Sequence, residues 1–225
     1  MRQGEGFQVS DIFQEVDEEV RREQLKQLWA RYGTLLIAAC VLLVVAVAGW
    51  RTYEWWEAKK AAEAGTAFQA AIALSSEGKN KEAEEAFAKL AASGTSSYRM
   101  LARFREAAEV ARRDPAAAVA IYDRLAADSS LGRDLQDLAA LRAGTILVDS
   151  APYSEIVQRL EPQTAPGRTF RHSARSMLAL AAWRAKDTAA MRKWSDMILA
   201  DGETPSGTRG QIQVLLALAD ADKKS

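Results

Sequence analysis

The sequence predicts an all-α protein in which one transmembrane helix precedes a solenoid of paired helices. Three observations predict it. Nineteen residues from Tyr32 to Trp50 carry no charge and are mostly Leu, Ile, Val or Ala. Beyond about Trp56 the chain is dominated by Ala, Glu, Lys, Arg and Leu, and no stretch keeps the strict apolar–polar alternation of a strand. In that second region, apolar positions and helix breakers recur with a period near 35 residues.

Composition narrows the function before any motif does. A chain of 225 residues that is 48% hydrophobic and 27% charged has enough apolar surface to fold. Thirty basic residues balance thirty acidic ones, so no overall field favours nucleic acid, and no nucleic-acid partner is expected. Cys40 is the only cysteine and His172 the only histidine. That excludes an internal disulfide and a multi-cysteine metal cluster, and no cofactor is expected.

Residues 1–31 read as a tail. Val9, Ile12, Phe13, Val16 and Val20 recur at three- and four-residue spacings, and Leu25, Leu28 and Trp29 resume the stripe with a slight rotation. This is the pattern of an amphipathic helix, with Asp11 as its cap and Gln14 three residues on. Such a helix docks a partner, lies on a membrane surface, or extends the span.

Residues 32–50 read as the transmembrane helix. At 1.5 Å per residue a helix of that length spans about 28 Å, close to the hydrocarbon core of a bilayer. Trp29, Arg31 and Tyr32 flank one end; Trp50, Arg51, Tyr53, Trp55 and Trp56 flank the other. Such rings and arginines favour the headgroup level. Ile37-Ala38-Ala39-Cys40 has the letters of a lipobox, but its context does not suit a cut signal. An acidic segment of some thirty residues precedes it, and apolar character continues for nine residues after Cys40. The run is therefore expected to stay as an uncut anchor. Arg21, Arg22, Lys26 and Arg31 lie before the span, against Arg51, Lys59 and Lys60 after it. Four against three leans towards a cytoplasmic N-terminus and a translocated C-terminal part. Residues 51–57 are read as an interfacial linker.

Residues 58–225 form the repeat region. Four segments align: "NKEAEEAFAKLAA", "DPAAAVAIYDRLAA", "SAPYSEIVQRLEP" and "DTAAMRKWSDMILA". Phe87, Tyr122, Val157 and Trp194 share one position, separated by 35, 35 and 37; Leu90, Leu125, Leu160 and Met197 share a second. Asn80, Asp114, Ser150 and Asp187 stand where these helices should be capped, and Pro115 follows Asp114. Gly78 and Gly94 stand where helices should stop. Partner helices are expected at about 58–76, 96–113, 132–149 and 168–186, with a last one at about 206–222.

A period near 35 built from two antiparallel helices predicts a degenerate tetratricopeptide-like helical-repeat solenoid. Its alanine and aromatic one turn apart stand as Ala83/Phe87, Ala118/Tyr122 and Ala190/Trp194; the third unit departs, with Tyr153 and Val157. A small residue lets the paired helix approach, and the ring fills the gap between repeats.

No phosphate-binding, nucleophile-elbow, zinc-protease or dithiol motif occurs. Arg168, Arg171 and Arg175 surround His172 in "GRTFRHSARS", and Arg99, Arg103 and Arg105 stand in "SSYRMLARFREA". Each group reads either as a site for an anion or acidic peptide, since arginines three or four apart share a helix face, or as a solvated face. Arg99, Arg103, Arg168, Arg171 and Arg175 are the candidate partner-binding residues.

The chain also resembles a known family. "LWARYG" leads into the span, "GWRTYEWW" ends it, and "AFQAAIALSSEG" and "SSYRMLARFREAAEVA" follow in the repeat region. With its charged tail, single span and repeats, it resembles the YfgM-like ancillary subunits of the SecYEG translocon. The resemblance implies a bacterial inner-membrane protein with a cytoplasmic tail and a periplasmic repeat domain. It also implies Sec translocon subunits, a membrane-anchored periplasmic chaperone and exported chains as partners. The function expected is a non-enzymatic scaffold that binds proteins. An envelope-assembly or cell-division adaptor, or a membrane-tethered hydrolase with an unrecognised site, are the alternatives.

Overall fold

A computed structural model describes the backbone of residues 8–222 and the side chains of residues 23 and 26–221. All regular structure among the described residues is helical, and the chain divides into two compact units, Met1–Lys60 and Ala61–Ser225.

The first unit consists of most of helix α1 (Gln8–Ser76). Asp11 is helical within the described part of α1; its side chain, and with it the expected cap, lies outside the described set. The stripe expected at Val9, Ile12, Phe13, Val16, Val20 and Leu25 concerns side chains outside the described set. Further along, α1 is long and apolar enough to cross a membrane, with a mean hydropathy of 2.4 in a window only 6% buried by protein. Leu35, Leu36, Ile37 and Val45, which point to different sides of the helix, are 66%, 54%, 55% and 62% exposed, so the helix presents apolar surface all round. That surface belongs in lipid or in a core, and among the described residues no core covers it. Cys40 is exposed on it as a free thiol. Residues 51–57 are helical and continue α1. There the Lys59 and Lys60 ammonium groups lie 5.6 and 3.2 Å from the Trp55 and Trp56 ring centres.

The second unit is built from consecutive helix pairs. In chain order the end of α1 meets α2 (Asn80–Ser93) through Phe68 and Phe87, α3 (Ser96–Val110) is followed by α4 (Pro115–Ala127), and α5 (Arg133–Leu147) by α6 (Tyr153–Leu160), with the more extensive packing between α2 and α3 and between α4 and α5. Then α7 (Arg171–Arg184) pairs with α8 (Thr188–Ala200), and α9 (Ser206–Asp222) packs on both. The boundaries follow local chemistry. Gly78, at φ 77°, turns the chain out of α1, and the Lys79 N–H returns 3.0 Å to the Leu74 carbonyl. Asp114 caps α4 by accepting from the Ala117 N–H at 2.9 Å; Asp187 caps α8 in the same way through Ala190.

Two expected caps are corrected. Lys79 precedes α2, and Asn80 is already its first helical residue, making no cap bond. Ser150 and Ala151 both donate backbone N–H to the Leu147 carbonyl, so they finish α5. Pro152 then opens α6, its ring fixing the entry geometry without a side-chain cap.

Three buried clusters run along the unit. Phe68 and Phe87 meet edge to face at 5.5 Å among Ala71, Ala83 and Ala102. Tyr122 and Leu125 pack among Ala107, Ala139 and Ala143. Ile156, Leu160, Leu178, Met191, Trp194 and Ile198 fill the third. Phe87, Tyr122 and Trp194 are buried as the repeat alignment expects, but Val157 is half-buried and its neighbour Ile156 is fully enclosed. In α8 the buried pair is Met191 and Ile198, where the alignment placed Ala190 and Met197. Because Leu160 and Trp194 keep their aligned buried places while Ile156, Met191 and Ile198 join them, the inward faces of α6 and α8 are turned by less than the roughly 100° of one residue relative to α2 and α4. In the third pair the small residue needed for close approach is Gly144 on α5, where a Cβ would stand 3.0 Å from Leu160 Cδ1.

Candidate protein-binding surface

The arginines around His172 face inward. Arg168 precedes α7, so the three do not share one helix face; its Nη2 donates to Asp137 Oδ1 on α5 at 2.6 Å. Burial pushes the Asp137 carboxyl up. Arg175 is 4% exposed, which excludes a solvated face at this position. Its Nε and Nη2 donate to the Thr164 carbonyl at 3.0 and 2.7 Å, and its Nη1 donates to Asp201 Oδ2 at 2.9 Å. Arg171 Nε reaches the same Asp201 oxygen at 3.0 Å and a second nitrogen pairs with Glu203. The Arg171 bond, with the Glu203 N–H and Arg175, holds the Asp201 carboxyl well below the usual carboxylate range.

His172 completes this clasp. Thr204 Oγ1 donates its hydrogen to the Ile198 carbonyl at 2.7 Å and lies 3.1 Å from His172 Nδ1. With that hydrogen committed, the hydroxyl accepts from Nδ1–H, which sets the neutral tautomer. Burial and then the Arg171 charge lower the His172 pKa. Arg209 adds bonds to the Leu199 and Asp201 carbonyls at 2.8 and 3.1 Å. The cluster ties α7 to the α8–α9 connection, and its donors are spent inside the chain.

Arg99 and Arg103 line open surface. With Ala92, Ser96, Ser97 and Met100 from α2 and α3, and with Ser130 and Leu131, they border a groove of about 640 Å³. Arg99 is exposed. Arg103 Nη1 donates to Asp128 Oδ2 at 2.8 Å; bonds from Ser130 and then Arg103 hold the Asp128 pKa at about 2. A second hollow of about 580 Å³ between α2 and the end of α3 is internally neutralised. There Arg113 makes a two-pronged contact with Glu84 at 2.7 and 2.9 Å, and the Ser75 hydroxyl donates to Glu109 at 2.6 Å.

The outward faces of α3, α5 and α7 escaped the sequence reading, Arg105 apart. Leu101 and Leu180 are 43% and 36% exposed, and Arg105 and Arg142 are exposed between them. Arg105 and Arg142 are 37 residues apart, the spacing of the last two buried anchors, but Arg142 and Leu180 are 38 apart and Leu101 has no such partner among them, so the repeat period alone does not pick out these positions. Among the described residues no group of three or more His, Cys, Asp or Glu side chains could hold a metal.

Comparison with known proteins matches residues 26–196 to the sequence model of a family described as a tetratricopeptide repeat-like domain. No curated protein and no solved structure matches the chain.

Proposed function

The chain belongs to the tetratricopeptide repeat-like domain family, and from that premise we propose that it is a non-enzymatic, membrane-anchored scaffold binding proteins in the periplasm. Domains of this kind generally bind protein partners, because stacked repeats leave extended side-chain-lined faces. The observation that carries the reading is the combination of such a repeat unit with a preceding helix of span length whose apolar surface is left uncovered among the described residues. The anchor, residues 32–50, confines the domain of residues 58–225 to a membrane surface. Confinement raises the effective concentration of partners meeting there, with no chemistry required of the scaffold.

In its specific form, the protein sits in a bacterial inner membrane with residues 1–31 in the cytoplasm. It links the Sec translocon to a membrane-anchored periplasmic chaperone while exported chains emerge. Support comes from the resemblance carried by "LWARYG", "GWRTYEWW" and "SSYRMLARFREAAEVA", and from the basic residues before the span. Cross-linking of the full chain in native membranes, followed by mass spectrometry, tests this. Translocon subunits and a periplasmic chaperone are expected among peptides linked to residues 58–225. Partners drawn instead from wall synthesis or division would replace the export role with that of an envelope adaptor.

A further inference from the structure

On α3, Ser96, Arg99, Met100 and Arg103 follow one another at three- and four-residue spacings, so they share one helix face. That face lines the groove of about 640 Å³ together with the end of α2 and with Ser130 and Leu131 of the turn after α4. The closely packed helices α2 and α3 supply most of its wall, and the bond from Arg103 to Asp128 ties that turn to them.

Charge in the groove is one-sided. Two arginines line it and no carboxylate does; Asp128 and Glu106, both near Arg103, are not among the lining residues. Arg99 is exposed and its side chain bonds nothing among the described residues. Arg103 is oriented by Asp128, which accepts from Nη1 at 2.8 Å and is itself held by the Ser130 N–H and hydroxyl at 3.1 and 2.6 Å. A guanidinium has several N–H donors, so this one bond sets its plane and leaves the others for a ligand. The Ser130 hydroxyl hydrogen is committed to Asp128, but the Ser96 and Ser97 hydroxyls bond nothing among the described residues.

The ligand follows from the donors. A carboxylate presents its oxygens in one plane with one charge. A phosphomonoester presents three acceptor oxygens around a tetrahedron with nearly two charges, which suits donors arriving from two arginines and two hydroxyls. Met100, Leu131 and the alanines of α2 give the groove an apolar part, and its volume lies within the range of about 300–1,000 Å³ common for small-molecule sites. We propose that this groove binds a small organic phosphomonoester. The phosphate meets Arg99, Arg103, Ser96 and Ser97, and the organic part lies against Met100 and Leu131. Because the groove takes residues from α2, α3 and the turn after α4, the bound molecule braces the first repeats against each other.

Isothermal titration calorimetry on the full chain, in maltoside detergent and a phosphate-free buffer, tests the proposal. The probes are phenyl phosphate, inorganic phosphate, benzoate and glycerophosphoglycerol, a phosphodiester lipid headgroup without its chains. Phenyl phosphate is expected to bind at least about tenfold more tightly than each of the others. R99Q should weaken it about tenfold and S96A/S97A several-fold, while R142Q, at an exposed arginine on α5, leaves it unchanged. Arg99 and both serines are exposed, and an unaltered thermal melt shows that each variant still folds. Failure of phenyl phosphate to bind, or indifference to R99Q, overturns the site. Equal binding of inorganic phosphate, benzoate or glycerophosphoglycerol overturns the ligand class. A synthetic alternating Asp–Leu peptide that binds more tightly than phenyl phosphate, and loses that binding in R99Q, also overturns it and gives the groove to a protein ligand.

Discussion

Arg175 on α7 meets Asp201, beyond the end of α8, at 2.9 Å, and the same guanidinium donates twice to the carbonyl of Thr164 before α7. One buried side chain therefore joins the segment that ends the third helix pair to the connection that leads into α9. Arginines that looked like a binding site in the sequence hold the last repeats together.

Arg175→Met is expected to destabilise the protein by about 2–3 kcal/mol, because it keeps an apolar stem but leaves the Thr164 carbonyl without its charged donor. Thermal unfolding of the full chain in detergent, followed by circular dichroism, should show the loss. R99Q should leave the melt unchanged, since Arg99 is exposed.

Stability should fall as pH drops from neutrality. The His172 pKa is lowered in the fold by burial and by Arg171, with Arg175 adding and Asp201 and Glu203 opposing. A depressed histidine contributes stability above its unfolded value near 6.5, and that contribution is lost as pH falls through the folded value. Melting temperatures between pH 7.5 and 5 should decline for the natural chain and decline less for His172→Asn. An equal slope in both would remove His172 as the cause.

Phe87→Ala should cost about 3–5 kcal/mol, since Phe87 is fully buried against Phe68. In a repeat array each unit touches only its neighbours, so the damage should stay local. Hydrogen exchange should speed up in α2 and α3 first, while amides in α7 and α8 remain protected.

Asp114→Ala should cost about 1 kcal/mol, because the Asp114 carboxylate caps α4 through the Ala117 N–H. Ser150→Ala should change the chemical unfolding midpoint little, since Ser150 caps nothing.

Helix order, the breaks at Gly78, Gly94, Asp114 and Asp187 and the positions of Phe87, Tyr122 and Trp194 were legible because each depends on local signals or on the repeat period. What escaped depends on how helices roll and on who pairs with whom. Ile156 and Ile198 displace Val157 and Met197 by one residue, which spacing alone does not resolve. Arg171 and Arg175 look like a free basic cluster until Asp201, some thirty residues away, folds onto them.

The central claim, a scaffold held at the membrane with its repeat unit in the periplasm, is tested most directly by fusing alkaline phosphatase to Ser225. The enzyme folds to activity only after export, so the account predicts an active fusion in the membrane fraction. An inactive phosphatase fusion, with a fluorescent-protein fusion at the same residue glowing in the cytoplasm, would contradict it.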